Sequence, residues 1–404
     1  MNENSADFFL TRKDEGQNNP TAANFLAAGH FTVDVYSGFL NPIMPFIAAK
    51  IGIGIAITTM LMSISYLLSS LMQPLFGFLS DKYKRRFFII FGLILISVFN
   101  PLTGVATVPW MLGLFIVLGN LGNGFFHPQA TGFSFLFSKG VESSRIGRFL
   151  TLGTLGFALG PFLASSIVNF FGLESLPYTS IFGVILALFF VKYVPKISHI
   201  KVEKETTKFY EAFQEVVRDK TTRILIGLSM IKSLVSIVYC LLLPFLWKQI
   251  GYGVFEIGTI ISIYTMAGAL ATYISPRLEK IIGTKKVFIL SLVLVAPITS
   301  VMFLTLHSIP LLSVSMFVLL GFVSFLSSTL NMVLAQRLHP KIKSMISGFI
   351  GGFSWGAVGV LLSFFGYIAQ KIGIIWLLSG ISIIPLIYSY TIFKISDTIL
   401  VKGK

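Results

Sequence analysis

The chain has 404 residues, of which 54% are hydrophobic and 12% are charged. A soluble globular protein carries about 25% charged residues, so this composition excludes an ordinary soluble domain and indicates a polytopic membrane protein. The formal net charge is +15, but the basic residues stand between long apolar runs, which argues against a nucleic-acid partner. The single cysteine, Cys240, cannot form an internal disulfide, and its apolar surroundings predict an inert, packed thiol.

Twelve apolar runs follow one another along the chain, each suited to cross a bilayer as a helix. Several are separated by only a few residues, as tight turns would separate neighbouring helices. We therefore predict an all-α fold whose twelve transmembrane spans, numbered one to twelve below, lie at residues 21–49, 55–79, 87–107, 110–137, 146–171, 177–194, 223–249, 255–275, 286–306, 309–336, 346–370 and 373–395.

The longest polar segment, residues 195–222, divides the spans into two sets of six. Phe209, Phe213 and Val216 recur in it at helical spacing, which predicts a short amphipathic stretch on the membrane surface. Two sets of six spans joined by a charged linker are the layout of a duplicated transporter. The predicted parts are a tail at 1–20, a six-helix bundle at 21–194, the linker at 195–222, a second bundle at 223–395 and a tail at 396–404.

The basic residues lie on one side of this arrangement. Of the 31 Lys and Arg residues, all but Lys50, Lys232, Lys248 and Lys371 fall in the tails, the linker and every second loop, or at the span ends next to them. Because basic loops are retained in the cytoplasm, we predict that both termini and the linker are cytoplasmic, in a multi-pass protein of the cell (inner) membrane.

The segment after span two reads GFLSDKYKRR, from Gly77 to Arg86. It resembles the loop signature G-x-L-x-D-R-x-G-R-R of the major facilitator superfamily, and the identical positions are Gly77, Leu79, Asp81, Arg85 and Arg86. The segment PRLEKIIGTKK, at 276–286, is a looser copy at the corresponding place of the second half. In the family this cluster holds the two halves together when the transporter faces outward. The alternative, a basic loop that only sets topology, leaves Gly77 and Asp81 unexplained.

Span five carries a second pattern, in the spacing G-x8-G-x3-G-P. Its members are Gly147, Gly156, Gly160 and Pro161. The pattern resembles a motif associated with antiporters of the same superfamily. Small residues at such spacing allow two helices to approach closely, and a proline bends the helix. Ordinary close packing of membrane helices is the alternative interpretation.

Three further stretches, GHFTVDVYSGFLNPIMP, GNGFFHP and LAQRLHP, resemble the fosmidomycin-resistance-like branch of the superfamily, which exports small drug-like molecules. The resemblance covers most of the chain. It implies the major facilitator fold, with two pseudo-symmetric six-helix bundles and with spans one, four, seven and ten around a central cavity. It also implies alternating access, in which the two halves rock around a site near the membrane midplane. It does not identify the substrate.

Polar residues recur at helical spacing on these four spans, on one face of each. We predict that the four faces converge on one water-accessible cavity. The polar positions are His30, Asp34, Ser37 and Asn41 in span one, Asn120, Asn123, His127, Thr131 and Ser134 in span four, Lys232, Ser236 and Tyr239 in span seven, and Ser324, Ser327, Ser328 and Asn331 in span ten. The candidate substrate-binding residues among them are His30, Asn41, Asn120, Asn123, Lys232, Ser236, Tyr239 and Asn331.

Asp34 is the only acid predicted well inside a span, and we predict that it couples transport to protons together with His127. Burial favours the protonated form of a carboxylate, and a nearby cation favours the charged form. A cavity that opens to alternate sides therefore changes the proton affinity of Asp34. The alternatives are a fixed ion pair of Asp34 with His30 or Lys232, and a structural role for His127. Lys232 is either a counter-charge, an anion-binding group or a lysine whose ammonium group reaches the membrane surface.

The first functional prediction is therefore a proton-coupled antiporter, a monomer that exports a small drug-like or metabolite molecule. The alternative is a proton-coupled uptake symporter for a small organic nutrient, and the glycine–proline pattern of span five favours the antiporter. The sequence has no evident metal-ligand cluster, activated nucleophile or phosphate-binding glycine loop, so we predict no enzyme activity, no metal and no cofactor. The predicted partners are the small-molecule substrate, protons and the lipid bilayer.

Overall fold

The structure is a computed structural model that describes residues 18–83, 86–138, 142–195, 214, 216–339, 346 and 348–395, with the backbone alone for 71–83, 135 and 142–144. Within these ranges every regular element is a helix. The nearest approach to a sheet is one isolated bridge between Asn18 and Ser138. The predicted all-α class is confirmed.

The described part of the first half contains seven α-helices and two short 3-10 helices. The α-helices are α1 Pro20–Gly38, α2 Leu40–Ile51, α3 Ile55–Tyr83, α4 Phe87–Leu102, α5 Pro109–Leu136, α6 Glu142–Phe171 and α7 Ser180–Tyr193, and the 3-10 helices are Thr103–Val105 and Leu173–Thr179.

The described part of the second half contains eight α-helices and one π-helical turn. The α-helices are α8 Lys220–Gln249, α9 Val254–Ile282, α10 Thr284–Val293, α11 Val295–Leu304, α12 Pro310–Phe325, α13 Ser328–Leu338, α14 Ser354–Ile372 and α15 Ile374–Ile392, and the π-helical turn is Phe349–Phe353.

These helices occupy all twelve predicted spans. Ten of them, counted over the described residues, are long and apolar enough to cross a membrane, and Ile55–Ser70 is a shorter apolar stretch within span two. Span one consists of α1 and α2. The largest boundary difference is at span eight, where α9 continues to Ile282 instead of ending near 275. Pro276 lies inside that helix, and the helix ends only at Gly283, which has a φ of +85°.

Three of the spans are interrupted, and prolines explain two interruptions. Pro42 has no N–H to donate to the carbonyl of Gly38, four residues earlier, so span one breaks between α1 and α2. Pro297 stands in the same relation to Val293, where α10 ends. Span ten breaks between Phe325 and Ser328 with no proline nearby.

The chain divides into two compact units. It passes from one unit to the other between Leu40 and Asn41, between Ser70 and Leu71, and between Val202 and Glu203. In unit 1, α1 packs along α6, and α4 packs along α5. Unit 2 contains α8 to α15 together with α2 and the first part of α3. Residues 41–70, which belong to the first half by sequence, are therefore packed within the unit that holds the second half.

A pair of matching contacts shows that the two halves repeat each other. Arg86, just before α4, donates from Nη1 to the carbonyl of Val194, which caps the C-terminus of α7, at 2.5 Å. Lys285, in the first turn of α10, donates from Nζ to the carbonyl of Ile395, just beyond α15, at 3.3 Å. Each cation meets the negative end of a helix dipole, at corresponding positions of spans three and six and of spans nine and twelve.

Two tyrosines form a second matching pair. In unit 1, the hydroxyl of Tyr36 donates to the carbonyl of Thr179 at 2.5 Å. In unit 2, the hydroxyl of Tyr239 donates to the carbonyl of Leu378 at 2.7 Å. The first bond joins span one to span six and the second joins span seven to span twelve, so the six-helix repeat extends to individual side chains.

Candidate functional site

Three ionisable side chains meet inside unit 1. Asp34 lies on α1, His30 lies one turn earlier on the same helix, and His127 lies on α5. His30 Nε2 is 3.2 Å from Asp34 Oδ2, and His127 Nε2 is 3.3 Å from Asp34 Oδ1. Each oxygen of the carboxylate is therefore paired with one imidazole. The side chain of His127 is 29% exposed, that of Asp34 is 14% exposed and that of His30 is 11% exposed, so His127 is the most exposed member of the group.

The orientation of His30 is fixed by α6. Its Nδ1 lies 2.8 Å from the carbonyl oxygen of Phe149, and the two rings stack with centroids 4.1 Å apart. Gly153, one turn further along α6, has no side chain where a Cβ atom would overlap the imidazole ring. The seam between α1 and α6 thus holds the histidine in a single position.

This geometry determines how many protons the pair needs. A carbonyl oxygen can only accept, so Nδ1 of His30 carries a hydrogen. A neutral imidazole has one N–H, so Nε2 would then present a lone pair to Asp34 Oδ2, itself an acceptor, at 3.2 Å. The contact is favourable only if one further proton lies between the two atoms, either as imidazolium with carboxylate or as imidazole with carboxylic acid. His127, by contrast, can donate from Nε2 while remaining neutral.

These three residues form one compact group of ionisable side chains. Among the described residues it is the one group of three histidine or acidic side chains with ligand-type atoms within 4.8 Å of one another. The distances of 3.2 and 3.3 Å are those of hydrogen bonds, and a proton satisfies them without any further ligand.

The other predicted polar residues of spans one and four have different surroundings. Ser37 donates to Val33 O at 2.9 Å and lies 3.1 Å from Asn123 Oδ1, so the two predicted faces do meet. Asn120 is buried and donates to the carbonyl of Ile116 in its own helix at 3.1 Å. Asn41 lies beyond the break in span one and is partly buried within unit 2.

In unit 2, Lys232 lies about 18 Å along α8 from its first residue, at a rise of 1.5 Å per residue. It is 8% exposed, and its Nζ donates to Ser328 Oγ at 2.7 Å. A charged side chain at this depth costs about 2.5–3.5 kcal/mol on insertion scales. The contact with α13 points the ammonium group into unit 2 and not towards a membrane surface.

The remaining candidates of spans seven and ten are deeply packed. Asn331 donates from Nδ2 to Leu225 O at 3.0 Å and to Ser229 Oγ at 2.9 Å. Ser236 is buried, and Tyr239 is fully buried with its hydroxyl engaged by span twelve. The structure thus places Tyr239 as a link between helices, where the sequence analysis places it among the substrate-binding residues.

The glycine pattern of span five forms part of the same α1–α6 seam. A Cβ at Gly156 would overlap the carbonyl of Phe31, and one at Gly160 would overlap the carbonyl of Val35. Pro161 lies against Gly38, whereas Gly147 faces open space. The sequence analysis did not single out Gly153 or Phe149. Gly153 lies three residues before Gly156 and extends the row of small residues, but a backbone carbonyl such as that of Phe149 leaves no signal in a sequence.

The segment after span two is only partly described. The backbone of Gly77 and Asp81 lies within α3, which continues to Tyr83, so these positions are helical rather than in a loop. Their side chains, and the whole of Arg85, lie outside the described residues. Arg86 is described, and its bond to Val194 O places it at a helix end.

Membrane-spanning helices arranged as two related halves, with interrupted spans and a buried ionisable group, define a secondary transporter. The sequence profile of the Major Facilitator Superfamily matches residues 26–363 and again 225–400. The chain belongs to this superfamily, and its twelve spans form the two pseudo-symmetric six-helix bundles of the major facilitator fold. It is a multi-pass membrane protein that transports small molecules.

Known proteins with similar sequences and structures agree with this assignment. The chain is 24% identical to the fosmidomycin resistance protein of Escherichia coli over 393 residues, 91% of each chain. It is 26% identical to the multi-drug resistance efflux pump PmrA of Streptococcus pneumoniae over 243 residues, 58% of this chain and 56% of the pump. A bacterial homolog of the human lysosomal transporter Spinster, in an inward-facing conformation, superposes with a TM-score of 0.77 at 15% sequence identity. The match covers 95% of this chain and 98% of the homolog.

Proposed function

We propose that the protein is a proton-coupled antiporter that exports a small drug-like or metabolite molecule across the inner membrane by alternating access. The observation that carries the proposal is the pair formed by His30 Nε2 and Asp34 Oδ2. These two atoms lie 3.2 Å apart, while the opposite nitrogen of the same ring faces a backbone carbonyl. A site that needs one proton for its stability, inside a membrane span, is what coupling to a proton gradient requires.

The coupling step follows from the exposure of the three side chains. His127 is the most exposed of them, and in our proposal a proton from the external side reaches Asp34 through His127. The His30–Asp34 pair then holds the proton between Nε2 and Oδ2. When the site opens to the cytoplasm the proton leaves, and the pair is left with opposed lone pairs and a net negative charge until the next exchange.

The proposed orientation places both termini in the cytoplasm, and one group of contacts within unit 2 then lies at the outer side. Here α14 packs against α3 through three glycines: Gly356 against Ser70, Gly359 against Tyr66, and Gly366 against Thr59. The backbone N–H of Ala56 also donates to Gln370 Oε1 at 3.0 Å, and Lys248 Nζ donates to Pro45 O at 2.8 Å. In our proposal these contacts, which we call the outer seam, separate when the site opens outward.

Support for export comes from the names of two relatives, a resistance protein and an efflux pump. The test begins with a drug-sensitive bacterial strain that expresses the chain and is grown against a panel of inhibitors. A compound whose tolerance rises becomes the probe. Purified protein is then placed in vesicles with a pH indicator inside, and probe movement is followed after a proton gradient is imposed.

Under the proposal, the probe and protons move in opposite directions, and Asp34→Asn abolishes movement driven by the gradient while exchange of labelled for unlabelled probe continues. The matched control is Asn41→Asp, which places a carboxylate at another predicted cavity position. It is made on the wild-type background and on the Asp34→Asn background. In the double variant, the carboxylate at position 41 should not restore coupling. Movement of probe and protons in the same direction would replace the antiporter with the alternative symporter. Gradient-driven movement that survives Asp34→Asn would exclude this proton site.

A further inference from the structure

The interruption of span ten creates a helix N-terminus at membrane depth. The helix α13 has 11 residues and begins at Ser328. The residue before it, Ser327, is the N-cap, and its side chain makes no capping hydrogen bond to the helix. The hydroxyl of Ser327 is instead 2.8 Å from that of Ser291 on α10. The first N–H groups of a helix have no partner within the helix and form a positive pole, so this end of α13 is an uncapped donor site about 27 Å along span ten from Pro310.

A buried cation stands at the same place. Lys232 on α8 is 92% buried, since 8% of it is exposed, and its Nζ is 2.7 Å from the hydroxyl of Ser328, the first residue of α13. Among the described residues no ion pair includes Lys232, and its polar contact is the hydroxyl of Ser328. An ammonium group next to the positive pole of a helix is unfavourable unless an anion joins them.

One acceptor in the first turns of α13 is also unsatisfied. Asn331 is fully buried, and its Oδ1 has no hydrogen-bond partner among the described residues. The amide orientation is fixed, because Nδ2 donates to the carbonyl of Leu225 and a carbonyl cannot donate. The site therefore offers one ammonium group, several N–H donors and one acceptor. An acid group matches this set if its charged oxygens accept from the ammonium and N–H groups and if one O–H, its own or that of a nearby hydroxyl, donates to the acceptor.

We propose that the transported molecule is a small organic oxyanion whose acid group binds between Lys232 and the N-terminus of α13. This inference rests on the proposed function, because it names the chemical class of the substrate of the same transporter. Half-helix N-termini that face anionic substrate groups near the midplane are a physical solution available to any transporter with interrupted helices.

Binding can be tested without any gradient. The purified full-length protein, in detergent without added phospholipid, is heated with sulfate, inorganic phosphate or acetate, and chloride at equal ionic strength is the reference. Unfolding is followed by tryptophan fluorescence. The expected result is a higher midpoint temperature with an oxyanion than with chloride. Lys232→Gln should remove this rise, while Lys371→Gln, which removes the same charge from an exposed position on α14, should leave it unchanged. No rise with the wild type, or an equal rise with Lys232→Gln, would overturn the proposal.

Two further arms keep the result decisive. If Lys232→Gln does not elute as a single species, Ser328→Ala replaces it, and an oxyanion rise as large as that of the wild type contradicts the site. If a short-chain phosphatidylglycerol raises the midpoint and the free oxyanions do not, the site binds lipid headgroups, and the assignment to a transported solute fails. Asp34→Asn should keep the oxyanion rise, because Asp34 is outside this site. If Asp34→Asn keeps the oxyanion rise and also keeps gradient-driven transport, the proposed proton site is refuted and the anion site is not.

Discussion

Gly153 lies directly against the imidazole ring of His30, at a place where the Cβ of any other residue would overlap the ring. The glycine is therefore a condition for the bond between His30 Nδ1 and the carbonyl of Phe149, 2.8 Å long. Because that bond turns Nε2 towards Asp34, we expect this residue of span five to affect the protonation of the His30–Asp34 pair in span one.

Replacing Gly153 by alanine should displace the His30 ring. We expect a loss of stability of about 1–3 kcal/mol from overpacking and a larger relative loss of proton-driven transport than of exchange. The matched control is Gly147→Ala, on the same helix, where nothing lies within 4 Å of the added Cβ. Thermal unfolding and vesicle transport, measured on both variants, give the comparison. Wild-type coupling in Gly153→Ala would show that the position of His30 does not matter.

The two histidines should differ in what their loss does. His30→Gln removes the Nε2 that shares a proton with Asp34, so we expect no accumulation against a gradient. His127→Gln removes the more exposed route to the carboxylate but leaves the His30–Asp34 pair, so we expect slower transport with the same final accumulation. Initial rate and steady-state level, measured in the same vesicles, separate the two effects. The reverse pattern would make His127 the proton carrier and His30 the accessory residue.

The sequence made much of this arrangement predictable. Hydrophobic run length located all twelve spans, and a spacing of four residues placed His30 and Asp34 on one face. What it could not predict was which atoms pair. Helical spacing identifies a polar face, but it does not distinguish a face that lines a cavity from one that packs on another helix. Tyr239 is on the polar face of span seven, yet its hydroxyl bonds the backbone of span twelve.

The interruption of span ten was equally invisible. Pro42 marks the break of span one in the sequence, because a proline cannot donate to the preceding turn, but the break before Ser328 has no such residue. It depends on a tertiary contact, the pairing of the Ser327 and Ser291 hydroxyls, which takes the capping group away from its own helix. The sequence therefore indicated Lys232 as a possible counter-charge or anion-binding group and gave no reason to pair it with a helix N-terminus.

Tyr239 and Tyr36 provide a direct test of structural against substrate-binding roles. Each hydroxyl donates to a backbone carbonyl of the last span in its half. Tyr239→Phe should lower stability by about 0.5–1.5 kcal/mol, the net contribution of one hydrogen bond, and leave the KM for transport unchanged. Tyr36→Phe, the repeat-related control, should behave alike. An increase in KM for Tyr239→Phe alone, without loss of stability, would restore it to the substrate site.

The outer seam gives a prediction about direction of opening. At Gly366 an added Cβ would overlap the side chain of Thr59, so Gly366→Val should hold α14 away from α3 and favour the state that is open outward. Gly380→Val, on α15 with nothing within 4 Å of the added Cβ, is the control. The chain has one cysteine, the buried Cys240, so after its replacement by serine a cysteine introduced at Ser63, whose hydroxyl donates to Val360 O in the seam at 3.2 Å, becomes a specific reporter.

A membrane-impermeant maleimide applied from outside should label the Ser63→Cys reporter faster in Gly366→Val than in the parent, and the Gly380→Val control should label at the parent rate. Net transport should fall in Gly366→Val, because the outer seam must close once in every cycle. The reason is steric: packed helices respond to an added side chain by shifting to another arrangement rather than by compressing. Unchanged labelling together with unchanged transport would show that the contacts of α3 with α14 do not form the outer closure.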